Sequence, residues 1–220
     1  MSVALYRGWR TESTGLIVVT RDDWSEFVPM LMAPELRHAM DGVVEKWGPL
    51  CRIEASKRWL DWRWIAAMIY RESGGDPKAF RREPNGWTGV GLLQITHPSL
   101  KGAHRDAELF DPELNVAIGA RYIADKRKTY GDNFPRVSAA FNAGSAHLPL
   151  PGFENAWNLH CSKGHIDAEV NALNYAISKD IAAQQMPAVP LFDLTDIARE
   201  ADDAARDETP LTWENGKPMA

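Results

Sequence analysis

Cysteine is scarce: Cys51 and Cys161 are the only two in 220 residues. At most one disulfide can form, so the chain is no cross-linked small scaffold, and buried free thiols are the expected state. A basic stripe is also missing. With 25 basic and 30 acidic residues the formal net charge is −5, which argues against a binder driven by phosphate neutralisation, and no nucleic-acid partner is expected. No run approaches the roughly 18 apolar residues of a membrane span. The opening residues MSVALYRGW hold no apolar stretch of signal-peptide length, so neither a membrane span nor a signal peptide is expected. No internal repeat and no strand–helix alternation is visible, which disfavours solenoids and parallel-sheet folds in favour of a mainly α domain.

What is present is enough for a core. Hydrophobic residues make up 45% of the chain, suiting one domain or one domain with extensions. Nine tryptophans serve a core or a sugar-stacking surface, with the core taking the larger share. Acidity is concentrated at the end: residues 184–220 carry eight acids and three bases, leaving residues 1–183 close to neutral. We therefore divide the chain into an N-terminal extension (1–33), a helical domain (34–183) and an acidic, proline-containing tail (184–220) suited to docking a partner.

In the extension, GLIVVT reads as a short β-branched run, and Thr20 or Asp22 could cap a short helix. From Pro34 the pattern turns helical, with Leu36, Met40, Val43 and Trp47 on one face. A second helix is expected over 52–60 and a third over 61–73, DWRWIAAMIYRES. In that third helix Trp62, Ile65, Ala66, Met68 and Ile69 fall within an arc of about 160°, and Glu72 lies inside the same arc. Gly74 and Gly75 then end the helix. Residues 76–96 read as a folded loop closing in GLLQIT. A long helix opens with Asp111 as N-cap and Pro112 at its first position, carries Leu114, Ile118 and Tyr122 on one stripe, and stops before Gly131. A shorter one ends at Gly144, and residues 167–183 supply the last core helix.

A carboxyl on a buried arc pays desolvation when charged. Its pKa should rise toward neutrality, as a general acid requires, so position alone makes Glu72 a candidate proton donor. The plain alternative is a helix-end Glu reaching solvent or pairing with Arg71 or Lys78. Other signals are weaker. His160, Cys161 and His165 would need a fourth ligand and more familiar spacing to hold zinc, and no metal or cofactor is expected. Ser73 reads as a helix-end hydrogen-bonding residue, since no His-bearing motif accompanies it as a nucleophile. His97 and Asp106 read as surface loop residues, and Lys126, Arg127 and Lys128 as a solvated helix face.

The segments ESGGDPKA (72–79), GVGLLQIT (89–96) and AAFNAG (139–144) resemble, in the same order, three motifs of the lytic transglycosylase and goose-type lysozyme families. The resemblance covers roughly 34–181. It implies a mainly α, lysozyme-like helical domain with a loop-rich or minor β insert, and a groove for peptidoglycan glycan strands. It implies Glu72 as the acid that protonates the oxygen between N-acetylmuramic acid and N-acetylglucosamine and then acts as base. Gln94 stands at the family's substrate-binding glutamine, with Leu93 where methionine is usual. Asn142, Ala143 and Gly144 would line the groove near the acetamido groups, beside Phe141 and Ser73.

Two departures matter. Phe141 replaces the tyrosine of the family's third motif, and Tyr175 is the nearby candidate for a later tyrosine that helps hold the acid, with a core tyrosine as the competing reading. Asn85 and Thr96 stand where goose-type enzymes place water-activating aspartates. Neither can act as a base, which favours a 1,6-anhydro product over hydrolysis. A wall-cutting enzyme with no signal peptide suggests a bacteriophage product, either a released endolysin or a virion-tail enzyme whose extension and tail meet tail or baseplate proteins. The competing class is a structural or glycan-binding tail module with a vestigial enzyme fold.

Overall fold

The structure, a computed structural model, describes residues 6–21, 28–144, 163–185, 213–214 and 217–218. The chain divides into two units, Met1–Ile181 and Ala182–Ala220. In the second, strands β6 (Trp213–Glu214) and β7 (Lys217–Pro218) pair antiparallel; most of the expected docking tail lies outside the described residues. The first unit opens with a three-stranded antiparallel sheet, β1 (Tyr6–Thr11), β2 (Ile17–Arg21) and β3 (Val28–Pro29). Thr20 is part of β2, so it caps no helix, and Asp22 lies outside the described residues. This sheet is stitched to the helices by Asn174. Its carboxamide accepts from the Ile17 amide (2.8 Å) and donates to the carbonyls of Ile17 (2.7 Å) and Met30 (2.8 Å), while Ile17, Met30 and Met32 join the main core.

Helix α1 (Pro34–Ser56) merges the two helices expected over 34–60. Pro49 does not break it. The carbonyl four residues earlier, on Glu45, loses its amide partner, but both residues are exposed, so water can satisfy that carbonyl. Cys51, fully buried on the inner face, is a free thiol whose pKa burial pushes up to about 12; Cys161 lies outside the described residues. Helix α2 (Trp62–Ser73) starts where Asp61 accepts from the Arg63 amide (2.9 Å) and ends where Gly74 turns left-handed, φ 62°. Its Trp64, Ile65, Ala66, Ala67, Met68 and Ile69 are all buried.

Beyond α2 comes the β hairpin β4 (Phe80–Arg82) and β5 (Thr88–Val90), then a short helix α3 (Pro98–Lys101). Helix α4 (Pro112–Tyr130) begins with the expected Asp111 cap, which accepts from the Leu114 amide (2.9 Å). Helix α5 (Phe134–Ala143) ends at Gly144, φ 82°. Helix α6 (Lys163–Gln185) starts a turn earlier than its sequence pattern suggests. Tilted ring packing of Trp64 on Phe134 (centroids 5.2 Å apart) joins α2 to α5, and the Arg63–Asp180 ion pair (3.1 Å) joins α2 to α6. No helix among the described residues is long and apolar enough to cross a membrane. The architecture is mainly α with a small β insert, as expected.

Candidate active site

A cleft of about 560 Å³ opens between the end of α2, the β4–β5 hairpin, the loop 91–97, Tyr122 of α4 and the end of α5. Its lining includes Glu72, Leu93, Gln94, Phe141, Asn142 and Ala143, which brings all three sequence motifs to one place. Asn85 and Thr96 are also on the wall.

The floor is set by one buried amide. Asn115 of α4 accepts from the Leu93 amide (2.9 Å) and donates to the carbonyls of Val90 (2.8 Å) and Leu109 (2.9 Å). Gly91 permits this approach: at φ 74°, a Cβ there would stand 2.3 Å from the Asn115 Nδ2 and 2.6 Å from the Leu109 carbonyl oxygen. Gly119, on the same helix, makes room for Leu93, whose Cδ1 would lie 2.1 Å from an added Cβ. Gln94 follows with a left-handed backbone, φ 44°, rare for a residue with a side chain. Its Nε2 donates to the carbonyls of Gly91 (3.0 Å) and Ala79 (3.2 Å), so the amide is fixed before any ligand arrives.

Glu72 points into this cleft with a side chain only 8% exposed. Burial, reinforced by the nearby charge of Glu169, raises its pKa to about 7, against the opposing pull of His165, Arg81 and Arg71. The helix end beneath it is closed by Ser73, whose Oγ donates to the Ile69 carbonyl (3.2 Å) and accepts from the Gly75 amide (3.2 Å), and by Trp47, whose Nε1 donates to the Gly75 carbonyl (2.9 Å). Ser73 thus makes the helix-end hydrogen bonds expected of it, and it is not part of the cleft lining.

Tyr175, the expected candidate for holding the acid, has its hydroxyl engaged elsewhere. Its hydroxyl donates to the Asp41 carboxylate (3.0 Å), which also receives Lys179 (2.6 Å), so it ties α6 to α1. The groups against Glu72 are different ones. His165 Nε2 lies 3.5 Å from Glu72 Oε1 and 3.1 Å from Glu169 Oε1, four residues on along α6. In the sequence His165 was weighed only as a weak zinc-ligand candidate and Glu169 was not singled out, because the last helix was expected to start at 167, leaving His165 outside it. These three side chains have ligand-type atoms within 4.8 Å of one another, close enough to surround a cation. The His165–Glu169 contact is an ordinary hydrogen bond at 3.1 Å.

Three further cleft residues carry chemistry. Trp87, on the hairpin and 39% exposed, meets His97 edge-on (centroids 4.9 Å, 82°) and offers a ring face to a ligand. Glu83 is a second carboxylate on the wall, held by Arg81 Nε at 2.6 Å. His97 therefore belongs to the cleft. Asp106, expected as a loop residue, accepts from Lys101 (2.7 Å) and Thr88 (2.6 Å), contacts that pull its pKa down and brace β5 against α3.

Residues 49–150 match the family model described as the transglycosylase SLT domain. This stretch, a little under half of the chain, is similar to SLT-type transglycosylase domains. Among curated relatives, the membrane-bound lytic murein transglycosylase F of Vibrio campbellii is 36% identical over 117 residues, covering 50% of this chain and 20% of that protein. The protein of the same name from Desulfosudis oleivorans is 35% identical over 107 residues, 46% of this chain and 22% of the relative. The chain thus spans about a fifth of the length of these relatives. Among solved structures, a lytic transglycosylase Slt from Pseudomonas aeruginosa superposes with a TM-score of 0.47 at 24% identity, over 64% of this chain and 25% of that one. The matched residues include Glu72, Gln94 and Asn142, whereas α6, with His165 and Glu169, lies beyond them.

Proposed function

We propose that this protein is a peptidoglycan lytic transglycosylase that cleaves the bond from N-acetylmuramic acid to N-acetylglucosamine, with Glu72 as acid and then base. The observation that carries the reading is a nearly buried carboxyl, held near neutral pKa, facing a cleft floored by an immobilised Gln94. At a pKa of about 7 the protonated acid is available to the leaving oxygen, and the carboxylate left behind is basic enough to take a proton back. Leu93, Phe141, Asn142 and Ala143 line the sugar site, with Trp87 as a stacking face.

The product follows from what stands opposite the acid. Inverting hydrolysis needs a second carboxylate to activate water. Positions 85 and 96 offer an amide and a hydroxyl, and the carboxylate of Glu83 is engaged by Arg81. Attack then falls to the muramic acid's own 6-hydroxyl, whose proton Glu72 accepts, giving a 1,6-anhydro end. Mass spectrometry of muropeptides released from purified peptidoglycan tests this. Anhydro ends, lighter by one water than reducing ends, support the proposal. Reducing ends that disappear in Glu83→Gln would instead make it a hydrolase, and no release by folded protein from several wall types would leave a binding module. The bacteriophage setting has its own test: detection of the chain in purified virions supports wall opening during infection, and its absence there removes the tail role.

A further inference from the structure

We propose that His165, anchored by Glu169, is the positioning residue for Glu72, so that the acid works as one member of a three-group proton-sharing cluster. The inference rests on the catalytic reading of Glu72. Its geometry does not: one imidazole nitrogen faces both carboxylates, at 3.1 Å and 3.5 Å. Glu169 is wholly buried, and its Oε2 has no hydrogen-bond partner among the described residues. A charged carboxylate so placed is costly unless a cation lies against it, and His165 is the group at hydrogen-bond distance. Burial is the largest influence on His165 and favours the neutral ring, but the hydrogen bond and charge of Glu169, with Glu72, outweigh it and raise its pKa.

The cluster suits an acid that must change charge. At rest, neutral Glu72 sits beside a His165–Glu169 ion pair. When Glu72 passes its proton to the glycosidic oxygen, the C–O bond breaks and the new carboxylate lies against the imidazolium. When the 6-hydroxyl closes the ring, its proton returns to Glu72, and no proton is gained or lost overall. His165 lowers the cost of the charged interval, while Glu169 keeps Glu72 protonated beforehand. The other charges facing Glu72 are Arg71 on its own helix and Arg81 on β4, while Arg81 is paired with Glu83.

The two α6 residues pull Glu72 in opposite directions, so their loss should move the same limb of the pH–rate profile in opposite directions. In the full-length chain, Glu169→Gln should shift the alkaline limb of kcat/KM to lower pH. His165→Gln should shift it to higher pH and lower kcat on the order of tenfold, the effect of one pKa unit. Loss of packing would move both the same way or neither, and that result overturns the proposal. Because either variant could fold poorly, a second readout uses Glu72→Gln: the His165 ring titration, followed by NMR, should move to lower pH once the Glu72 charge is removed. An unmoved titration overturns the cluster, whether or not the wild type releases muropeptides. Activity lost in EDTA and restored by zinc would also overturn it, in favour of a cation held by the same three side chains.

Discussion

Glu72 is placed where it weakens the fold. Below pH 4.5 its carboxyl is protonated in both folded and unfolded chains. Between 4.5 and about 7 the unfolded chain releases the proton while the native state keeps it, so stability is lost as pH rises through about 7. Replacing the acid removes that penalty. Thermal melts of Glu72→Gln and wild type should coincide near pH 4, diverge between pH 4.5 and about 7, and stay apart above that, the variant gaining up to about 3 kcal/mol. A less stable variant at pH 8 would mean that burial is not what raises the pKa. Activity carries the same signature: wall cleavage should fall as pH rises through about 7, because the protonated donor is depleted. Glu72 was legible in the sequence because its position continued an apolar arc that glycines then ended. His165 and Glu169 were not, since an i,i+4 pair acquires meaning only once both residues are known to be on one helix.

At the scale of elements, the cleft depends on one helix. Aligned cap, proline and stripe made α4 readable from residues alone, but not its second task of holding the loop 91–97 through Asn115. Replacing Asn115 with alanine strands three backbone groups and should cost about 3 kcal/mol, with glycan cleavage falling further than stability alone explains. Gly91→Ala tests the same joint from the other side, because the Leu109 carbonyl cannot move aside; urea unfolding should show a loss of at least about 2 kcal/mol. The β4–β5 hairpin supplies the opposite wall, and Trp87→Ala should weaken binding to chitooligosaccharide by about 1 kcal/mol while leaving the melting temperature unchanged. The hairpin was read only as a loop because strands of three residues carry too little alternation to register. Pro49 leaves α1 unbroken, because a proline on an exposed face leaves its orphaned carbonyl to water.

At the scale of the whole unit, the boundary drawn at residue 33 from composition separates strands that share a core with the helices. The link that sequence could not supply is Asn174, a polar residue in the apolar middle of α6, 157 positions from the Ile17 backbone it binds. Asn174→Ala should cost about 3 kcal/mol and speed amide exchange at Ile17 before it does so in α4; uniform acceleration would mean that the sheet and helices open together. Cys51 makes such openings countable. Its thiol is sealed within α1 and raised to a pKa of about 12, so alkylating reagents meet almost no thiolate while the native state persists. Once the unit opens, the same sulfur titrates normally and is captured irreversibly. Mass-resolved labelling of this one site therefore records how often the interior of the first unit is exposed, a built-in clock that needs no substrate.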